Sequence, residues 1–215
     1  MALVLGTNCG FVTEAPTDDP EGATTVTCDY KATALKVTSP AGATKVTEIG
    51  WYSGTATQAA NTQVGIYDHN SGDNNPENLL GSSGDFAKGT GAGWKVATGL
   101  DITIDPETIY WIAFQLDNTA TASKLDISST AGEKLDSKTS QTALTNPWGI
   151  SGEPLEYLGA IYAVYEAEAP TGTNMQINIG DVWKAVPSAQ INIGDTWKPV
   201  ASAKVNIGDT WKTIF

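Results

Sequence analysis

Short runs in which apolar and polar residues alternate recur along most of this chain. Ala34-Leu35-Lys36-Val37-Thr38 alternates, and so do Thr44 to Tyr52 and Thr62 to Tyr67. A period of two sends successive side chains to opposite faces of a strand. Further runs at Trp94–Ala97, Leu100–Ile104, Thr108–Leu116, Lys124–Ser128 and Leu158–Tyr165 are rich in β-branched and aromatic residues, which suit a pleated, half-buried surface. Gly, Asn, Asp, Pro and Ser punctuate them. No segment carries a capped apolar stripe of period 3.6. The pattern predicts an all-β body, a sandwich or barrel of antiparallel strands, over residues 34–168. Residues 1–33 read as an irregular arm that packs on or anchors that body. Its strongest signal is the turn cluster Thr17-Asp18-Asp19-Pro20-Glu21-Gly22, flanked by β-prone pieces at Gly10–Thr13 and Thr24–Thr27.

A different rhythm closes the chain. Gln176-Ile177-Asn178-Ile179-Gly180-Asp181-Val182-Trp183-Lys184 recurs from Gln190 and again from Lys204, with a period of 14 set by Trp183, Trp197 and Trp211. Ile-Asn-Ile predicts a strand, Gly-Asp a type II′ turn and Trp-Lys the return strand. Residues 175–215 are therefore three short β-hairpins, and 169–174 is a linker by composition. A three-residue loop would put Ile191, Ile193 and Trp197 on one face, with Asn192 and Lys198 on the other. A two-residue loop would instead set Asn192 opposite Trp197, and the residues alone leave both registers open. A hairpin this small does not bury its own apolar face. Ile177, Ile179, Trp183, Ile191, Ile193, Trp197, Val205, Ile207 and Trp211 are accordingly the expected assembly or docking set. A second copy of the chain, in a homo-oligomer such as a trimer, is one surface that would cover them.

Charge sharpens this division. Residues 1–170 hold 21 acids and 8 lysines, a net −13, whereas residues 171–215 hold 3 acids and 4 lysines, a net +1. All basic residues are lysine. An acidic surface without arginine argues against nucleic acid and anionic membranes as partners. No apolar run reaches 18 residues. The first residues lack the basic flank and long apolar core of a signal peptide, so release by lysis or within a particle is the expectation.

Candidate chemistry is sparse. Cys9 and Cys28, with eighteen residues between them, would close a disulfide worth about 3 kcal/mol; two buried thiols are the alternative. With His69 as the single histidine, neither a four-ligand metal set nor a catalytic triad is expected. Asp68, Asn70, Asp73 and Glu77 form the densest group of oxygen ligands, in a loop without EF-hand spacing. A solvated turn is the simpler reading, and no cofactor is called for. Gly89-Thr90-Gly91-Ala92-Gly93 leads into a strand, not the helix a phosphate cradle needs. Trp148, in the turn Asn146-Pro147-Trp148-Gly149, is the aromatic best placed to stack on a ligand, with Asp68, Asn70 and Asp73 near it. Trp51 is a weaker candidate, since aromatic residues in strands are usually core. Nothing singles out a pair of carboxylates as glycosidase chemistry would require, so an enzyme is not expected.

Some phrases carry a resemblance. Val64-Gly65-Ile66-Tyr67-Asp68, Pro76-Glu77-Asn78-Leu79-Leu80-Gly81, Gly93-Trp94 and Ile109-Tyr110-Trp111-Ile112-Ala113-Phe114 resemble a jelly-roll module of extracellular and viral proteins. The closing Asn-Ile-Gly-Asp-Thr-Trp-Lys repeats are similar to the Val-Asn-Val-Gly-Gly-x-Trp-Lys repeats of tailed-phage structural proteins, with Gly-Asp in place of Gly-Gly. Leu5–Val12 is similar to the start of small virion proteins. The resemblance implies a jelly-roll sandwich and a non-enzymatic place in a virion: capsid decoration, head fibre or tail surface. The partners it implies are itself and other virion proteins. The alternative is a carbohydrate- or receptor-binding sandwich that meets a glycan on a host surface.

Overall fold

The computed structural model describes residues 2–55, 59–118, 123–149 and 154–167, together with the backbone of six strands between 176 and 213. The chain is all-β and divides into two compact units, Met1–Ala167 and Glu168–Phe215.

The first unit has thirteen strands: β1 (Gly10–Val12), β2 (Thr24–Thr27), β3 (Lys31–Thr38), β4 (Ala43–Ser53), β5 (Asn61–Asn70), β6 (Asn75–Ser82), β7 (Phe86–Ala87), β8 (Gly93–Thr103), β9 (Ile109–Leu116), β10 (Lys124–Ser129), β11 (Lys134–Thr139), β12 (Tyr157–Gly159) and β13 (Ile161–Ala167). One layer has the order β1-β13-β4-β8 and the other β11-β3-β9-β5-β6, with β7 beside β5. A three-stranded sheet, β12-β10-β2, continues the first layer, because Gly54 N donates to Lys124 O and Tyr52 N to Ala160 O. The chain crosses between the layers at most of the connections between successive strands. Pairing is antiparallel except between β1 and β13. Thus β1 and β2, from the irregular N-terminal stretch, are strands at the edges of two sheets.

Alternation explains where the core sits. Leu35 and Val37 of β3, Val64 and Ile66 of β5, and Ile112, Phe114 and Leu116 of β9 face the opposite layer. There they meet Val46, Ile49 and Trp51 of β4 and Ile161 and Ala163 of β13. Trp51 stacks flat on Phe114 across the layers, with ring centroids 4.1 Å apart and planes 8° off parallel. Its indole nitrogen donates to Thr62 Oγ1 at 3.1 Å, and that hydroxyl donates to Gln115 O at 2.6 Å. A buried indole N–H left without an acceptor would cost about 1–3 kcal/mol, and this relay removes that cost.

The outer faces are covered as well. On the β4 side, Tyr162 lies directly over Gly50, where a Cβ would come within 2.5 Å of its ring. Its hydroxyl donates to Glu48 Oε1 at 2.7 Å, and Trp94 meets it edge-on at 5.0 Å. The Trp94 indole in turn donates to Asp18 O at 3.0 Å, so the N-terminal stretch runs over this face.

In the second unit, among the described residues, Gln176–Ile179 (β14) pairs only with Val182–Ala185 (β15), Gln190–Ile193 (β16) with Thr196–Pro199 (β17), and Lys204–Ile207 (β18) with Thr210–Thr213 (β19). The proposed linker 169–174 and the Gly-Asp turns lie outside the described residues.

Trp51→Ala empties the stacking position between the layers and also removes the donor to Thr62. We expect it to lower the unfolding free energy of the sandwich by about 3–5 kcal/mol, read by urea unfolding of the full chain.

Candidate functional sites

The repeats are the first candidate, and backbone register now decides between the two arrangements. Ile179 faces Val182, Ile193 faces Thr196 and Ile207 faces Thr210. Two residues separate the strands in each hairpin, so Asn178, Asn192 and Asn206 pair with Trp183, Trp197 and Trp211. Positions Ile177, Ile191 and Val205 pair instead with Lys184, Lys198 and Lys212. Because strand positions alternate between faces, the aliphatic positions and the tryptophan positions belong to opposite faces of each ribbon. The single face carrying both, which a three-residue loop would give, is not formed.

Trp148 is not an exposed platform. It is fully buried, in a second apolar cluster on the outer face of the β9 layer with Tyr67, Trp111, Leu144, Ala32, Ala34 and Ala113. The three alanines leave room for the large rings, and Tyr67 meets Trp148 edge-on at 5.0 Å. Polar bonds clamp the segment that carries it. Trp148 Nε1 donates to Asp136 Oδ2 at 2.9 Å, Trp148 N to Glu77 O at 2.7 Å, and Tyr67 Oη to Thr145 O at 2.7 Å. Leu144 N donates to Gln63 Oε1 at 2.8 Å, and Lys138 Nζ donates to Trp148 O. Trp51, the other stacking candidate, is likewise fully buried. A turn sequence with Pro and Gly reads as exposed; here tertiary cover overrides it, because β9 offers apolar residues on both faces.

Asp68 and Asn70 spend their oxygens within the 68–78 loop, and Asn74 Oδ1 accepts from Lys36 Nζ at 2.6 Å. Asp68 accepts from Asn78 N at 2.6 Å and Asn78 Nδ2 at 3.0 Å. Asn70 Oδ1 accepts from Gly72 N and Asp73 N, closing an Asx-type turn between β5 and β6. Among the described residues, no three His, Cys, Asp or Glu side chains gather as a metal site.

Cys9 and Cys28 are free thiols, both buried, so the disulfide is not formed. Burial and Glu133 push the Cys9 thiol up to about 12, while its hydrogen bond with the Val4 backbone opposes them. Burial also raises Cys28, whose Sγ donates to Ser123 O at 3.3 Å. Each thiol packs in the core as a small hydrophobe.

Sequence reasoning missed one concavity. An open groove of about 680 Å³ is lined by Asp68, His69, Leu80, Thr103, Asp105, Glu107, Thr108, Ile109 and Tyr110. Asp68 and His69 come from β5, Asp105 and Glu107 from the β8–β9 connection. Only long-range strand pairing joins them, so no local signal announces the groove. His69 is half-buried at its edge, and its Nδ1 accepts from Trp111 Nε1 at 3.1 Å. That acceptor role fixes the neutral ring with its proton on Nε2, and makes Nδ1 unavailable as a base. Burial, with help from Lys36, lowers the His69 pKa, while the Asn75 backbone and Asp68 pull it back.

Elsewhere, Lys88 is almost fully buried, and its Nζ has no hydrogen-bond acceptor among the described residues. Burial lowers its pKa against the opposing pull of Cys28 and Asp29.

Compared with models of known protein families, with curated proteins and with solved structures, the chain matches none.

Two outcomes test these sites. Trp148→Phe keeps a ring in the cluster but takes one donor from Asp136. It should cost about 1–3 kcal/mol of stability, measured by thermal unfolding. The folded His69 pKa lies below its unfolded value, so the unfolded chain takes up protons first on acidification. Stability should be full above about pH 6.5 and fall as pH drops through the lowered folded pKa. His69→Gln keeps an acceptor for Trp111 and should flatten that part of the melting-temperature profile between pH 7 and pH 5.

Proposed function

We propose that the protein is a non-enzymatic structural component of a virion that assembles or docks through its C-terminal repeats. One observation carries the reading: among the described residues, each hairpin pairs with itself alone, as a two-stranded sheet of four-residue strands. Two strands are too few to be stable alone in water, and each ribbon repeats two aliphatic positions on one face. Three such units in series need a covering surface. Closed symmetric association supplies one without any foreign partner, and a trimer is one such state. The body supports the same reading by its self-sufficiency. Each outer face carries its own cover over part of its area, and its cysteines, His69 and Trp148 are engaged in packing or hydrogen bonding.

The likeness of the repeats to those of tailed-phage structural proteins supports a place on a capsid, head fibre or tail surface as part of this proposal. Its partners are then itself and other virion proteins, and it leaves the host by lysis.

Removing residues 168–215 should convert the assembled protein to a monomer with an intact sandwich, read by light scattering alongside circular dichroism. An oligomer unchanged by the deletion would remove the repeats from assembly.

A further inference from the structure

We propose that the Asn–Trp rung of each repeat is a binding site for a neutral glycan, displayed three times by one chain. The proposal rests on the repeats being the working surface of the molecule, and it divides their labour between two faces.

Register makes the division. One face of each ribbon takes the rungs Ile177–Lys184 and Ile179–Val182, Ile191–Lys198 and Ile193–Thr196, or Val205–Lys212 and Ile207–Thr210. These positions are aliphatic with a lysine at one end, a composition that packs against protein and suits assembly. The other face takes Asn178–Trp183 with Gln176–Ala185, Asn192–Trp197 with Gln190–Pro199, and Asn206–Trp211 with Lys204–Thr213. That second face pairs one large aromatic with one or two amides. In the first two repeats it holds no charged residue.

The pairing has a chemical reading. An indole presents a broad flat apolar surface on which the C–H face of a sugar ring can lie. A primary amide offers both donors and an acceptor, and so matches the adjacent hydroxyls of a sugar. Ligand sites combine apolar surface with a few placed polar groups in this way. Charge commits the occupant to a neutral glycan. The Asn–Trp rung contributes no charged residue in any repeat, and the adjacent rung contributes one only in the third, at Lys204.

The repeats vary on both faces, at Val182, Thr196 and Thr210 on one and at Gln176, Gln190 and Lys204 on the other; the Asn–Trp rung is kept in all three, as are the last isoleucine of the first strand and the lysine after the tryptophan. Each site is small and weak by itself, and three on one chain raise avidity on a glycan-bearing surface by orders of magnitude.

The test uses the full chain on an array of immobilised neutral oligosaccharides. Replacing a single tryptophan, Trp197→Thr, should weaken retention by about tenfold, and replacing all three should weaken it by more than about 100-fold. The oligomeric mass should stay unchanged. A second variant, Asn178→Val with Asn192→Val and Asn206→Val, keeps the tryptophans and the strand propensity and should also lose retention. Failure of the full chain to retain any neutral glycan overturns the proposal. So does full retention by either triple variant, or retention only of anionic glycans. If the tryptophan variants lose the oligomer, the asparagine variant decides: retention there overturns the site. Deletion of residues 168–215 tests assembly separately, by mass and not by glycan.

Discussion

Strand β9 sets the terms for the rest of the sandwich. Ile112, Phe114 and Leu116 face one way, Trp111 and Ala113 the other, and all five are fully buried. A strand apolar on both faces cannot border water on either side. Its inner face is met by the opposite layer, through Trp51 on Phe114. Its outer face has no third sheet to meet, so the 140–149 segment folds over it and Trp148 fills the space above Ala32, Ala34 and Ala113. The structure is thus a two-layer sandwich with an aromatic cover on one layer and the N-terminal stretch over part of the other.

Large aromatic residues serve this design only if their polar atoms are satisfied. Trp51 donates to Thr62, Trp111 to His69, Trp148 to Asp136 and Trp94 to the Asp18 carbonyl. Each indole therefore brings a polar residue into or beside the core. That explains why His69 and Asp136, which look like functional candidates by type, are occupied by structural bonds. Thr62 shows the same logic at smaller scale: one hydroxyl accepts from an indole and donates to a carbonyl. Lys88 departs from it, since its buried ammonium lacks an acceptor among the described residues, and we have no physical account of that position.

Much of this was legible in the residues. Alternation at 34–38 and 62–67 and the β-branched, aromatic run at 108–116 are local properties of strands, and those runs lie in β3, β5 and β9. The irregular reading of residues 1–33 missed their edge-strand role because β1 and β2 find partners far away in sequence, at β13 and β10. Trp148 looked exposed because turn chemistry is local, whereas its cover depends on which face β9 leaves open. The groove around His69 was illegible for a related reason: Asp105 and Glu107 reach Asp68 only through pairing across the layer. The hairpin register turned on a single residue of loop length, which composition does not encode but backbone pairing does.

The two units solve the same problem to different degrees. A sheet is stable when each apolar face is buried and its edges are managed. The body manages this with residues of its own: Trp148 and Tyr162 over the layers, β1 and β2 at the edges. A four-residue hairpin has no residues to spare for a cover. With its aliphatic positions on one face and its tryptophan on the other, packing against a single surface satisfies only one of them. If sister or neighbouring repeats take the aliphatic face, the tryptophan face is the one left over. That asymmetry leaves an aromatic position on the face such packing does not cover, and it is the physical ground on which the proposed second use of the repeats rests.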